Sequence, residues 1–122
     1  MRVFLDTNFL IDLIKFKINL EEILLLFQEP IDFFVLSSSI KELEKIARSK
    51  GKSGSSAKLA LKLVELKRIK IFQTEESPDK AFLSLADKNT IIATNDSKLR
   101  KKLKTLGIKT IYLRGKKKLE VS

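Results

Sequence analysis

Four acidic residues lie far apart in the sequence but at comparable places, each shortly after a stretch that has the pattern of a buried β-strand. They are Asp6, Glu42, Asp79 and Asp96. Carboxylate oxygens are the ligands that hard divalent cations such as Mg²⁺ and Mn²⁺ prefer. Such an ion can activate a water, orient a phosphate and stabilise a leaving oxygen, and two ions roughly 3.5–4 Å apart do so most fully. These residue types therefore indicate hydrolysis of phosphodiester bonds.

The composition excludes most other hydrolytic chemistry. The chain of 122 residues contains no cysteine and no histidine. Thiolate nucleophiles, serine–histidine triads, histidine acid–base pairs and ordinary zinc sites are thereby excluded. Any hydrolysis must rest on carboxylates, lysines or hydroxyl groups.

The hydrophobic periodicity alternates between strands and helices along the chain. Strands are predicted at 2–5, 32–37, 69–73, 90–94 and 109–114. Helices are predicted from Thr7 onward and at 20–28, 39–49, 59–67, 77–88 and 96–107, with 50–58 as a polar loop. Near-continuous apolar strands alternating with helices predict an α/β fold, a three-layer α/β/α sandwich with a central parallel five-stranded sheet. We expect one domain over 1–114 and a basic C-terminal tail over 115–122.

The predicted fold brings the four acids together. Parallel strands end at the same edge of a sheet, and open α/β folds bind their ligands there. Each acid alone could instead be structural, because Asp6, Asp79 and Asp96 are placed to cap helices and Glu42 could complete a capping box with Ser39. Serine and threonine residues near the same helices can supply those caps, and four clustered carboxylates repel one another unless cations neutralise them. We therefore expect a shared Mg²⁺ or Mn²⁺ site, of one or two ions.

The charge balance indicates a polyanionic partner. Lysine and arginine number 25 against 15 aspartates and glutamates, which gives a net charge of +10. Such an excess favours nucleic acid, although a lysine-rich surface of a heat-adapted protein is the alternative. No segment has the pattern of a membrane span or a secretion signal, so we expect a soluble, cytoplasmic protein. The candidate RNA contacts, which could instead be an ordinary solvated face, are Lys52, Lys98, Arg100, Lys101 and Lys102.

Three segments together resemble the PIN-domain family of nucleases. They are "VFLDTNFLIDLI" near the start, "SSSIKELEKIA" in the middle, and "SPDKAFLSLADKNTIIATNDSKLRKKLKTLGIKTIYLR" near the end. The resemblance implies an endoribonuclease dependent on Mg²⁺ or Mn²⁺, in which Asp6, Glu42, Asp79 and Asp96 are the catalytic and metal-binding acids. It also implies that Asn8 and Thr94 are supporting polar residues, and it makes a homodimer plausible.

Two branches of that family fit the chain. The C-terminal segment most resembles the branch that includes ribosomal-RNA-processing endonucleases, which would have a ribosome-assembly partner. The short single-domain build also suits a toxin-type RNase with a cognate antitoxin. Two other classes are a catalytically silent RNA-binding scaffold and a response-regulator-like receiver. The receiver normally needs two adjacent acids after the first strand and a catalytic lysine, which the sequence does not offer.

Overall fold

The computed structural model describes all residues from 1 to 122. Six strands are present: β1 (Arg2–Leu5), β2 (Asp32–Leu36), β3 (Lys70–Phe72), β4 (Thr90–Ala93), β5 (Thr110–Arg114) and β6 (Lys118–Val121). Five α-helices connect them: α1 (Thr7–Lys15), α2 (Ser37–Ala47), α3 (Lys52–Leu66), α4 (Pro78–Leu85) and α5 (Ser97–Thr105). A 3₁₀ helix, Leu20–Leu26, replaces the α-helix expected at 20–28. None of these helices combines the length and apolar character needed to cross a membrane.

The strands form a single sheet in the order β3-β2-β1-β4-β5-β6. The first five strands of the chain are parallel to one another, and β6 runs antiparallel to β5. The central strand, β1, therefore ends between the carboxyl ends of β2 and β4. The predicted α/β class and largely parallel sheet are confirmed, with one more strand than the five expected.

Helices cover both faces of the sheet, so alternate residues of β1 belong to two different cores. Val3 and Leu5 belong to the core beneath α1, α2 and α3, whereas Phe4 belongs to the core beneath α4 and α5. Successive side chains of a strand point to opposite faces, so a strand buried on both sides is apolar throughout. The sheet is thus the middle layer of the predicted three-layer sandwich.

The segment 115–122, which the sequence predicts as a basic tail, contains strand β6. A tight turn reverses the chain, and Gly115 and Lys116 have φ values of 59° and 61° there. Leu119 is buried on the core side, and the backbone of Ser122 exchanges hydrogen bonds of 2.8 and 3.0 Å with Thr110. The run of lysines hides this strand in the sequence because only Leu119 faces the core.

Helix α3 begins at Lys52 and includes most of the segment expected to be a polar loop. Glycine and serine are weak helix formers, so local propensity argues against a helix at 53–56. Tertiary packing decides the outcome, since Ala57 and Ala60 are fully buried. Gly54 is needed in the first turn of α3, because a Cβ there would lie 2.0 Å from the carbonyl oxygen of Ser49, in the connection after α2.

We predict that Leu119→Ala destabilises the fold by about 2–4 kcal/mol, because it empties a buried position of the core. The matched change Val121→Ala, on the same strand but at a side chain 41% exposed, should cost less than about 0.5 kcal/mol. Urea unfolding followed by circular dichroism measures both values. Equal, negligible effects of the two substitutions would mean that 118–121 contributes nothing to the fold.

Candidate active site

The four acids singled out in the sequence line one cleft at the carboxyl edge of the sheet. Asp6 follows β1 and Asp96 follows β4, which neighbours β1 in the sheet. Glu42 comes from α2 and Asp79 from the first turn of α4. The cleft has a volume of about 260 Å³. Its lining residues are Asp6, Thr7, Asn8, Glu42, Ser77, Pro78, Asp79 and Asp96.

Asp6 is the buried member of this group, with only 7% of its surface exposed. The backbone N–H of Thr7 donates to one carboxylate oxygen at 2.8 Å, and the hydroxyl of Thr94 donates to the other at 2.7 Å. Asp6 is also the N-cap residue of α1. Capping a helix and lining the cleft are therefore compatible at this position, and the two hydrogen bonds hold the carboxylate in one orientation.

The surroundings of Asp6 disfavour its negative charge. The pKa of Asp6 is raised from 3.8 to about 6, mainly by burial and to a smaller extent by the charges of Glu42 and Asp79. The hydrogen bonds from Thr94 and Thr7 oppose that rise in pKa without cancelling it. At neutral pH this carboxylate is an anion that lacks a compensating cation within the protein.

Thr94 connects Asp6 to the loop that carries Asp96. The Thr94 side chain is fully buried at the end of β4, and its hydroxyl oxygen accepts from the backbone N–H of Asp96 at 3.1 Å. The same hydroxyl donates to Asp6. The carboxylate of Asp96 accepts from the N–H groups of Lys98 and Leu99, so Asp96 caps α5 and lines the cleft as well.

Glu42 and Asp79 are the exposed members of the group. The hydroxyl of Thr7 donates to Glu42 at 3.1 Å. The alternative capping box between Ser39 and Glu42 is wrong, because α2 already begins at Ser37 and the hydroxyl of Ser39 is buried without a hydrogen-bond partner. Glu42 is therefore free of a capping role at its own helix.

The cleft offers the type of ligand that a hard divalent cation binds, because every charged side chain that lines it is a carboxylate. No three carboxylates of the structure are arranged to hold one ion. Asp6 is fixed by its two hydrogen bonds, whereas Glu42 and Asp79 are exposed side chains that can change rotamer.

Asn8, expected as a supporting residue, is exposed and lines both this cleft and a neighbouring groove. Beside that groove the structure adds two residues that sequence reasoning missed. The amide of Asn95 donates to Asp12 at 2.8 Å and accepts from the backbone N–H of Leu113 at 2.8 Å. These bonds tie the loop after β4 to α1 and to β5. Asn95 could have been found from the sequence, because it lies between Thr94 and Asp96, which were already candidates.

The candidate RNA contacts fall into two groups. Lys98, Lys101 and Lys102 are exposed on α5. Lys52 is also exposed but is the first residue of α3, and not part of a flexible loop. Arg100 is half-buried, with its guanidinium 3.9 Å from the centre of the Tyr112 ring. Tyr112 belongs to β5, and its ring supports this arginine.

Comparison with known proteins gives two sequence relatives, one of which covers nearly the whole chain. Ribonuclease VapC4 of Methanocaldococcus jannaschii is 37% identical over 122 residues, which cover 95% of this chain and 92% of that protein. Ribonuclease VapC9 of Archaeoglobus fulgidus is 37% identical over 91 residues, which cover 72% of this chain and 66% of that protein.

Solved structures agree on the fold. The PIN domain endonuclease Utp24 aligns with a TM-score of 0.75 at 22% identity, over 99% of this chain and 90% of that one. VapBC-1 from nontypeable Haemophilus influenzae aligns with a TM-score of 0.57 at 17% identity, over 86% of this chain and 94% of that one. Residues 3–116 match the family model described as a PIN like domain. The chain is a member of the PIN-like domain family.

Proposed function

We propose that this protein is a divalent-metal-dependent endoribonuclease that hydrolyses RNA phosphodiester bonds in the acidic cleft. The observation that carries the proposal is the meeting of Asp6, Glu42, Asp79 and Asp96, from four separate elements, in one cleft. Sequence relatives named as ribonucleases support RNA as the substrate. The net charge of +10 supports a polyanionic substrate as well.

In this proposal Asp6 is the fixed ligand of one or two Mg²⁺ or Mn²⁺ ions. Glu42, Asp79 and Asp96 complete the ligand set, directly or through water. A bound divalent ion supplies a more acidic water and neutralises charge on the phosphate. The protein's own contribution is to hold Asp6 against Thr94 and Thr7 in the orientation that binding requires.

Two polar residues support the acids. Thr94 keeps its hydroxyl between Asp6 and the backbone of Asp96, so it couples the positions of two ligands. Asn8 presents an exposed amide to the cleft, where it can hydrogen-bond a phosphate oxygen or a water. Lys52, at the start of α3, and Lys101, on α5, are exposed and can contribute positive charge toward the phosphates of the RNA.

Of the two cellular roles that the sequence left open, the relatives named VapC favour the toxin-type RNase. The likeness to Utp24, at 22% identity, concerns the fold alone. A toxin-type role implies a cognate antitoxin as a partner and is compatible with a homodimer. The cytoplasm is the compartment in which such an enzyme meets its RNA.

The enzyme is tested by two matched substitutions on α2. Glu42→Gln removes a cleft carboxylate and should lower the rate of RNA cleavage in Mn²⁺ at least about 100-fold, a loss typical of removed catalytic groups. Glu44→Gln makes the same chemical change at an exposed residue outside the cleft and should leave the rate within about two-fold. A gel assay with a labelled single-stranded RNA measures both rates.

The metal requirement is tested in the same assay. EDTA should abolish cleavage by the unmodified protein, and excess Mn²⁺ should restore it. Cleavage that persists in EDTA, or an equal loss of rate in the two variants, would contradict the proposal. Metal-independent RNA binding without any cleavage would favour the scaffold class.

The raised pKa of Asp6 predicts how stability depends on pH in the absence of metal. Because the folded protein holds this proton more tightly than the unfolded chain, the stabilisation is complete below pH 3.8 and is lost as pH rises through about 6. At about 1.4 kcal/mol per pH unit the loss is about 3 kcal/mol. The difference in unfolding free energy between the protein and Asp6→Asn, measured in EDTA from pH 4 to pH 8, should follow this curve.

The variant Asp6→Asn should therefore be the more stable of the two at pH 8 in EDTA. Addition of Mn²⁺ should raise the melting temperature of the unmodified protein and leave that of the variant nearly unchanged. A pH-independent difference between the two proteins would contradict this account of Asp6.

A further inference from the structure

We propose that the RNA backbone leaves the cleft through a basic pocket on α5, where two of its phosphates are bound. This inference rests on the proposed function, because it takes RNA to be the substrate. The pocket, called here the α5 pocket, has a volume of about 170 Å³. It is lined by Ser97, Arg100, Lys101, Lys104 and Ser122.

The α5 pocket lies directly beside the acidic cleft. Its first residue, Ser97, follows Asp96, which lines the cleft. Ser97, Arg100, Lys101 and Lys104 recur at the spacing of one helix face. At 1.5 Å per residue this face extends about 10 Å along α5 from the cleft. A strand whose scissile phosphate lies at the acids can therefore run on along this face.

Arg100 is positioned for an anion before any ligand arrives. Its guanidinium lies 3.9 Å from the centre of the Tyr112 ring, which holds the planar group by a cation–π contact. Its Nε atom is buried and has no hydrogen-bond partner. Arg100 takes part in none of the four ion pairs of the structure. The two terminal nitrogens of this guanidinium make no ion pair, and they suit a phosphate, which can accept two parallel hydrogen bonds from them.

No acidic side chain lines the α5 pocket. The acid associated with Tyr112 is Glu120, on the neighbouring strand β6. Glu120 accepts hydrogen bonds from the Tyr112 hydroxyl at 2.9 Å and from Arg114 at 3.0 Å. Its charge is thus engaged with Arg114, and no acidic side chain stands among the cations of the pocket.

The structure also divides the basic residues of α5 into two sides. Lys101 and Lys104 line the pocket, whereas Lys98 and Lys102, on the same helix and equally exposed, do not. The sequence suggested Lys98 and Lys102 as RNA contacts together with Lys101. We assign phosphate binding within this helix mainly to the side that includes Lys101 and Lys104.

Two double variants test which side of α5 binds phosphate, and both remove two positive charges. Lys101→Gln with Lys104→Gln should weaken binding of a labelled 12-nucleotide single-stranded RNA about ten-fold, measured by fluorescence anisotropy in EDTA. The slope of the logarithm of affinity against the logarithm of salt should fall by about 1.4, since each lost phosphate contact on a single strand contributes about 0.7. Lys98→Gln with Lys102→Gln should weaken binding less than about three-fold.

An equal loss of RNA affinity in the two double variants would overturn the proposal, because it would show that the loss depends on net charge and not on the pocket. Unchanged binding in the pocket variant would overturn it too. Since the assay is made in EDTA without turnover, it is independent of cleavage. Lost binding in the pocket variant together with absent cleavage by the unmodified protein would retain the phosphate site and reject the nuclease.

The support under Arg100 is tested by two changes at Tyr112. Tyr112→Phe keeps an aromatic ring beneath the guanidinium and should leave RNA affinity within about two-fold. Tyr112→Leu removes the ring and should weaken binding about three- to ten-fold, the range expected for one cation–π contact. Circular dichroism melts show that each variant is folded at the assay temperature. Equal affinities of the two variants would overturn the role of Tyr112 in holding Arg100.

Discussion

The buried carboxylate of Asp6 is the constraint on which the rest of the site depends. Its pKa rises to about 6, first through burial and then through the charges of Glu42 and Asp79. Such an anion lowers the stability of the folded chain unless a proton or a cation compensates it. The burial of Asp6 follows from the topology, because β1 ends in the middle of the sheet and places Asp6 at the centre of its carboxyl edge.

The cleft combines a fixed part with an adjustable part. Asp6, Thr94 and the backbone of Asp96 form one hydrogen-bonded chain across β1 and β4. Asn95 anchors the same loop to α1 and β5. Glu42 and Asp79 are exposed, and Glu42 is held by one hydrogen bond from Thr7. Binding of a cation would therefore require movement of surface side chains only, while the buried ligand keeps its place.

Much of this could be predicted from the sequence because it follows from periodicity. Apolar strands such as Arg2–Leu5 and Thr90–Ala93 alternate with helices, which determines a parallel sheet and hence a shared edge for the acids. The residues that line the cleft followed from the same reasoning. Their roles in binding metal and in catalysis are proposals.

The features that the sequence did not predict depend on tertiary contacts. Strand β6 is held by its pairing with β5 and by Leu119, its one buried side chain, next to a run of lysines. The first turn of α3 lies so close to the connection from α2 that it requires Gly54, where a Cβ would meet the backbone of Ser49. The stacking of Arg100 on Tyr112 joins residues from α5 and β5 that no local pattern relates.

The most direct test of the account is a crystal of the protein soaked in Mn²⁺ and measured for anomalous scattering. The account predicts an anomalous peak in the cleft within about 2.5 Å of a carboxylate oxygen of Asp6, with a second acid of the cleft turned toward the same ion. No anomalous peak in the cleft would contradict this role of Asp6. A Mn²⁺ ion bound elsewhere, while Asp6 keeps only its hydrogen bonds to Thr7 and Thr94, would contradict it too.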